Sequence, residues 1–497
     1  MTVALSASAR PGQLQELVGR LERHEGFDQV VASLRAGQAA TLDGVWGSAC
    51  ALAAAALAAH APGPLLVLTA QPEETEDFLE DLDLFLPPDQ APREQFPALE
   101  HLPDEKTAPD EFFGQRLRVL NRLRGATAPK LIVGPIQALL QPVPEPSLLE
   151  AHSRTIHVGM TLEMEHLVEW LQAEGFQRMT AVALPGEFSV RGGLLDLFPP
   201  DAEEPLRIEF FGDQIESIRR FEVASQRSVQ PVERATLTGL LATENARGYL
   251  TDYLPETAWA VMVEPGELER IGQQYLQRLQ GVEKLHTYLE VLQRLIRFPS
   301  ATISAVAASS LETTCRLKIE SVERFTGDIH RVREELDAVG ADQQVYLVCP
   351  TEAEIDRLRE LFQESRLARE GRLQLLLGRL HRGFRLVPDR VVLVSSGELF
   401  QREEIRRPAA RHLGKVIDSF LELREGELVV HVAHGIARYR GLQLLEKDRQ
   451  VEEHLVLEFA EGTKLYVPTS KIGLVQKYVG GTKARPRLAK LGGRLWA

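Results

Sequence analysis

Gly44-Val45-Trp46-Gly47-Ser48-Ala49-Cys50-Ala51 has the outline of a phosphate-binding loop without its chemistry. In the pattern G-x-x-x-x-G-K-[ST], backbone N–H groups cradle phosphates, the lysine reaches the outer phosphates and the hydroxyl ligates Mg²⁺. Here Gly44, Gly47 and Ser48 are kept, while Ala49, Cys50 and Ala51 stand in the three deciding places. Cys50 carries no fixed positive charge and Ala51 has no oxygen for a metal. The surroundings still fit the frame. The alanine-rich run Cys50 to Ala59 predicts a helix, and Leu65-Leu66-Val67-Leu68-Thr69 predicts a short buried strand. Taken alone, two glycines before a helix also describe an ordinary turn. The strand–turn–helix frame is nevertheless the strongest restriction on the fold, because it calls for a parallel sheet covered by helices.

The first ~140 residues continue that alternation. Glu74 to Phe85 and Gln115 to Arg124 read as helices, and Lys130 to Gly134 as a strand. Pro135 to Pro146, with four prolines, reads as an exit linker. Asp110-Glu111-Phe112-Phe113 follows Ala108-Pro109 rather than an apolar strand, so it reads as a helix start and not as a second motor motif. At 497 residues the chain is long enough for three to five domains, at roughly 100–200 residues each. Three scattered cysteines, Cys50, Cys315 and Cys349, offer neither a disulfide framework nor metal-ligand spacing. No apolar run approaches membrane-spanning length, and no signal peptide is evident, so a soluble cytoplasmic protein is expected. The net charge of −14 argues against a non-specific DNA coat.

From 147 to 230 the texture changes. Phe188 to Arg191 and Leu194 to Phe198 are strand-like around Gly192-Gly193, and Gly212-Asp213 joins two further strands as a hairpin. Leu268 to Ile296 has helical periodicity with a break near Gly281. Residues 316 to 400 hold a second strand–helix–strand unit, and 402 to 415 are basic and irregular. The stretch 422 to 480 carries five short strands with glycine turns, which suggests a small barrel. Lys483 to Arg494 has five basic residues and no acid.

Three segments resemble one family. Gly186-Glu187-Phe188-Ser189-Val190-Arg191-Gly192-Gly193-Leu194-Leu195-Asp196-Leu197-Phe198-Pro199 is similar to a signature shared by the excision-repair helicase UvrB and the transcription-repair-coupling factors (Mfd). Val430 to Tyr439, with Lys464 to Pro468, resembles the RNA-polymerase-interacting module of the coupling factors, itself similar to CarD-type regulators. Leu488 to Trp496 resembles the connector that leads into that family's motor. The resemblance implies an α/β and α+β multidomain protein, divided as follows. A degenerate RecA-like domain spans 1–144, a UvrA-interacting α+β insert 145–230, a helical completion of the UvrB-like module 231–315, and a small α/β domain 316–401. A linker at 402–421, an SH3/Tudor-like β-barrel at 422–482 and a basic tail or connector to the motor at 483–497 follow.

The resemblance also implies partners and roles. UvrA is expected at the insert through Arg178, Phe188 and Arg191, and the β subunit of RNA polymerase at the small barrel through Ile436, Arg438, Tyr439 and Leu445. From pattern alone Phe188 would be core, Arg191 a surface charge and Leu445 core, and His431 and His434 ordinary strand and turn residues rather than a metal pair. No catalytic residue and no cofactor is expected on this chain. ATP, Mg²⁺ and most DNA contact would belong to a translocase motor, of which this sequence shows nothing. Gln95 to Gly114 lacks the tyrosine cluster with which UvrB-like helicases clamp DNA. The expected function is an adaptor between stalled RNA polymerase and UvrA in transcription-coupled nucleotide-excision repair. A CarD-like regulator and an ATP-dependent helicase are the alternatives, separated by activity of the barrel alone and by nucleotide binding.

Overall fold

The computed structural model describes residues 14–99, 111–125, 128–223, 227–240, 246–279, 284–306, 312–322, 325–326, 328, 331–400, 426–431, 435–447, 450–460, 463–468 and 475–477. They form two compact units, Met1–Gln401 and Arg402–Ala497.

The first unit opens with helices α1 (Gln15–Leu21) and α2 (Phe27–Arg35), then β1 (Ala40–Asp43). The degenerate loop leads from β1 into α3 (Ala49–His60), followed by β2 (Leu65–Thr69), α4 (Pro72–Phe85), β3 (Arg93–Gln95), α5 (Glu111–Arg124) and β4 (Leu131–Pro135). Every residue of α3 from Ala49 to Ala58 is buried, so this helix is apolar on all sides because it is covered on all sides. Asp110, expected to start α5, lies outside the described residues. The segment after β4 is not an exit linker. Residues 136–143 are buried, and Ile136–Leu140 is a helix. The carbonyls of this segment need donors once water is excluded. Arg116 of α5 supplies them, donating to Ala138, Gln141 and Pro142 as well as Pro97 at 2.9–3.4 Å, with its guanidinium 4.3 Å above the Phe96 ring.

The insert is hung on a two-stranded stem. Its entry strand β5 (Ser153–His157) pairs antiparallel with its exit strand, from Ser153 opposite Thr238 to His157 opposite Arg234. Between them lie β6 (Gln177–Arg178), β7 (Glu187–Arg191), β8 (Leu194–Leu197), β9 (Leu206–Phe211), β10 (Gln214–Phe221) and β11 (Ser228–Pro231), and the exit strand is β12 (Arg234–Thr238). The six inner strands form one sheet in the order β11-β10-β9-β8-β7-β6. Helix Met164–Ala173 packs Leu167 and Leu171 against its core of Phe188, Leu195, Ile208 and Ile218. The insert therefore runs through Thr238 rather than stopping at 230.

The chain then returns to the first sheet with β13 (Trp259–Val263), β14 (Ser300–Ser304) and β15 (Thr313–Arg316). Among the described residues this sheet has seven strands, all parallel, in the order β15-β1-β14-β13-β2-β4-β3. The region read as a helical completion does contain helices Pro265–Arg278 and Tyr288–Leu295, but it also supplies three strands, two of them between β1 and β2. The helical periodicity around them hid them: β13 is a continuous apolar run without alternation, while β14 (Ser300-Ala301-Thr302-Ile303-Ser304) and β15 (Thr313-Thr314-Cys315-Arg316) are short and polar.

Residues 316–400 add a second sheet, from β16 (Ile319–Ser321), β17 (Gln344–Cys349), β18 (Leu373–Leu377), β19 (Phe384–Leu386) and β20 (Val391–Ser395), in the order β16-β19-β20-β17-β18. Strands β18, β17 and β20 are mutually parallel. One face carries its own core, while Tyr346, Val348, Leu376, Leu380, Phe384 and Leu393 join a single core with Leu52, Phe78 and Phe85 of the first sheet's helices.

In the second unit β21 (Leu428–His431), β22 (Gly435–Lys447), β23 (Gln450–Glu458), β24 (Lys464–Pro468) and β25 (Val475–Lys477) form an antiparallel sheet in the order β24-β23-β22-β21-β25. The expected barrel is, among the described residues, a five-stranded sheet with two edges. The linker at 402–421 and the tail at 483–497 lie outside the described residues.

Candidate functional site

The loop between β1 and α3 is shaped by glycine. Gly44 has φ +73° and Gly47 φ +59°, a region that side chains with a Cβ rarely adopt. A Cβ on Gly44 would also strike the carbonyl of Leu317. The loop sits at the carboxyl end of a parallel strand, where nucleotide phosphates bind in open α/β sheets. Here that place is filled from within. Ser48 N–H donates to the Arg382 carbonyl at 3.3 Å, and Arg382 N–H donates back to Ser48 Oγ at 2.9 Å. A Cβ on Gly47 would come 3.0 Å from the Arg382 Cβ. Ser48 is 1% exposed, and Ala49 and Ala51 are wholly buried. Cys50 is buried too, its thiol pushed up by desolvation and then by the nearby acidic groups Glu264 and Asp81. A buried thiol of that kind is neither nucleophile nor phosphate ligand.

Arg382 belongs to the segment between β18 and β19, and this segment is pinned at both ends. Gly378 N–H donates to the Cys349 carbonyl at 2.8 Å, and Gly383 N–H to the Glu398 carboxylate at 2.9 Å. Between them His381 reaches α4. Its backbone N–H and Nδ1 lie 2.9 and 3.1 Å from Asp81 Oδ1, and its Nε2 lies 3.3 Å from both Asp77 and Glu80. Burial alone would lower the imidazole, but the hydrogen bonds to Asp81 and Glu80 and the charges of Asp81 and Asp77 win and hold it up at about 10. Glu80 is held below the usual carboxylate range, chiefly by its hydrogen bond to His381. None of this was visible in the sequence beyond Gly378 and Gly383 bracketing a short basic segment. The acidic partners lie 300 residues away.

The insert presents its candidate residues unequally. Arg178 and Arg191 are exposed, and Arg191 donates to the Thr180 carbonyl. Phe188 is corrected: it is 0% exposed, packed at the centre of the insert core, and offers no surface to a partner. The exposed apolar groups beside the arginines are Met179 and Leu184, at 43% and 59%. Leu184 sits on an ordered turn, because Glu187 accepts the amides of Ala183 and Leu184 at 2.7 and 2.9 Å. Strand alternation would have found the inward Phe188, and only the turn geometry reveals Leu184.

In the second unit Ile436 and Arg438 are half-buried on β22. Tyr439 is corrected: at 4% exposed it is a core residue of this sheet. Leu445 lies near the far end of β22, its backbone opposite Glu452 of β23. His431 ends β21, and His434 lies outside the described residues. Among the described residues no group of His, Cys, Asp and Glu could hold a metal, and no helix is long and apolar enough to cross a membrane.

A parallel-sheet module whose glycine loop is occupied by its own chain carries a stemmed insert, and a separate β unit follows in the sequence, which defines a multidomain α/β and α+β protein. Residues 155–240 match the UvrB interaction domain, and residues 423–479 match the CarD-like/TRCF RID domain. Along its length the chain is similar to transcription-repair-coupling factors. It is 26% identical to that of Myxococcus xanthus, covering 100% of this chain and 50% of the relative. With that of Bacillus subtilis (strain 168) it shares 24% over 96% of this chain and 48% of the relative, and with that of Staphylococcus aureus (strain USA300) 25% over 87% and 44%. The chain spans about half the length of the curated relatives it matches.

Proposed function

We propose that this chain is a transcription-coupled repair adaptor that holds UvrA through its insert and RNA polymerase through its C-terminal β unit. The observation that carries this reading is the presence of both domains, in this order, on one chain whose relatives are named transcription-repair-coupling factors. Within the insert, Arg178 and Arg191 supply exposed guanidiniums suited to bidentate contact with carboxylates, beside the apolar Met179 and Leu184. In the β unit, Ile436, Arg438 and Leu445 lie on one long strand that offers contacts to the polymerase β subunit. The loop Gly44–Ala51 takes no part in nucleotide chemistry, since it has no lysine and its serine is bonded to Arg382. Any ATP-driven step on DNA belongs to a motor outside these residues.

The test is a pull-down with the whole chain. Both UvrA and RNA polymerase are recovered, Arg191→Ala weakens UvrA alone by about tenfold or more, and Leu445→Arg weakens polymerase alone to a similar degree. Undiminished polymerase binding by Leu445→Arg removes that residue from the interface.

A further inference from the structure

Two parallel sheets meet at the vestigial loop. Gly44 to Ser48 lies at the carboxyl end of β1, and Gly378 to Gly383 leaves the carboxyl end of β18 and is tied to the ends of β17 and β20. Each of these ends is the place where an open α/β sheet ordinarily takes a ligand. Each is instead filled by the other. The contact is close enough to exclude alternatives in both directions. A Cβ on Gly378 would come 2.5 Å from Leu84 of α4, and a Cβ on Gly383 would come 2.6 Å from the Leu393 carbonyl. The amide at the start of α3, which in a working motor would face a phosphate oxygen, faces the carbonyl oxygen of Arg382.

We propose that the vestigial nucleotide loop serves as a socket for an internal ligand, the segment Gly378–Gly383, and that His381 seated among Asp77, Glu80 and Asp81 is the bolt that keeps it there. Two adjacent residues of the segment are held at once: Arg382 N–H donates to Ser48 Oγ, and Asp81 accepts from His381 N–H and Nδ1. The remaining charged groups facing this cluster are Arg379, 2.8 Å from Glu80, and Glu398, which accepts from Gly383 and Ser395. With three carboxylates on α4 and one imidazole from the opposing segment, a protonated His381 adds charge attraction to the backbone hydrogen bonds of the joint. Loss of that proton removes the positive charge that lies against Asp77, Glu80 and Asp81. The socket makes the second α/β domain a fixed part of the first, as the shared core through Leu52, Phe85 and Phe384 also requires. It thereby turns a lost catalytic site into a structural joint.

Hydrogen exchange on the full chain tests this. In the wild type the amides of Ser48 and Arg382 are protected together, and inorganic pyrophosphate leaves both unchanged. His381→Ala raises exchange at both by about tenfold to a hundredfold, the factor that loss of a hydrogen bond to a charged group corresponds to. His381→Lys, which restores a cation, recovers part of that protection, and amides of the insert at 153–238 do not change. Ser48→Ala gives a second route should His381→Ala fail to fold, and it raises exchange at Arg382 while α4 stays protected. Exchange that rises at Arg382 but not at Ser48 overturns the proposal, as does protection of Ser48 by pyrophosphate in the wild type.

Discussion

The loop at Gly44–Ala51 and the turn at Thr180–Glu187 are both glycine-shaped and both lie beside a candidate site, yet they use their polar groups in opposite ways. At the first, Ser48 donates to and accepts from Arg382, so its polar groups are taken up by its own chain. At the second, Glu187 and Arg191 bond to the backbone of the turn and so hold Met179 and Leu184 out in solvent. The difference separates a region whose contacts are consumed internally from one whose contacts are arranged for display. Only the second kind of surface is free to acquire partners.

The largest expected effect comes from cutting the chain where the insert was expected to end. A fragment of residues 1–230 lacks β12, which zips the stem, and β13 and β14, which lie between β1 and β2. It fails to fold, and circular dichroism shows no cooperative melt; a cooperative melt would mean that the first sheet closes without its central strands. Next is Phe188→Ala. Removing a fully buried phenylalanine costs about 3–5 kcal/mol, which melts the insert early, whereas Leu184→Ser at the exposed turn changes stability by about 0.5 kcal/mol or less. Equal losses from the two would erase the distinction between core and display.

These two substitutions also show what the sequence could reveal. The strand–helix alternation, the insert and the β-rich end were legible because apolar spacing reports burial directly. Phe188 was legible as a core residue from the strand pattern alone, and it was the resemblance that turned it outward; Tyr439 was legible as aromatic but not as inward, since a strand's pattern does not name which face is the core. The seal on the nucleotide loop was illegible because it joins Ser48 and Asp81 to His381 and Arg382 across some 300 residues, and no local pattern carries such a pairing.

A further effect is one of pH. His381 has a folded pKa of about 10, raised above the ordinary histidine value of 6.5. Its contribution is therefore fully present below pH 6.5 and is lost as pH rises through about 10. The Tm of the first unit falls across that range by a few degrees, on the order of 2–4 °C for each kcal/mol lost. His381→Gln flattens the profile. A wild-type profile that rises toward pH 10, or one identical to that of the variant, contradicts the placement of the proton.

The central claim is that this chain joins two partners without using its nucleotide loop. Immobilised UvrA, incubated with the full chain and RNA polymerase in the absence of any nucleotide, tests it most directly. The account predicts that polymerase is retained only when the chain is present, that ATP adds nothing, and that Arg191→Ala releases both chain and polymerase. Retention that requires ATP, or a chain that binds one partner only after releasing the other, would contradict it.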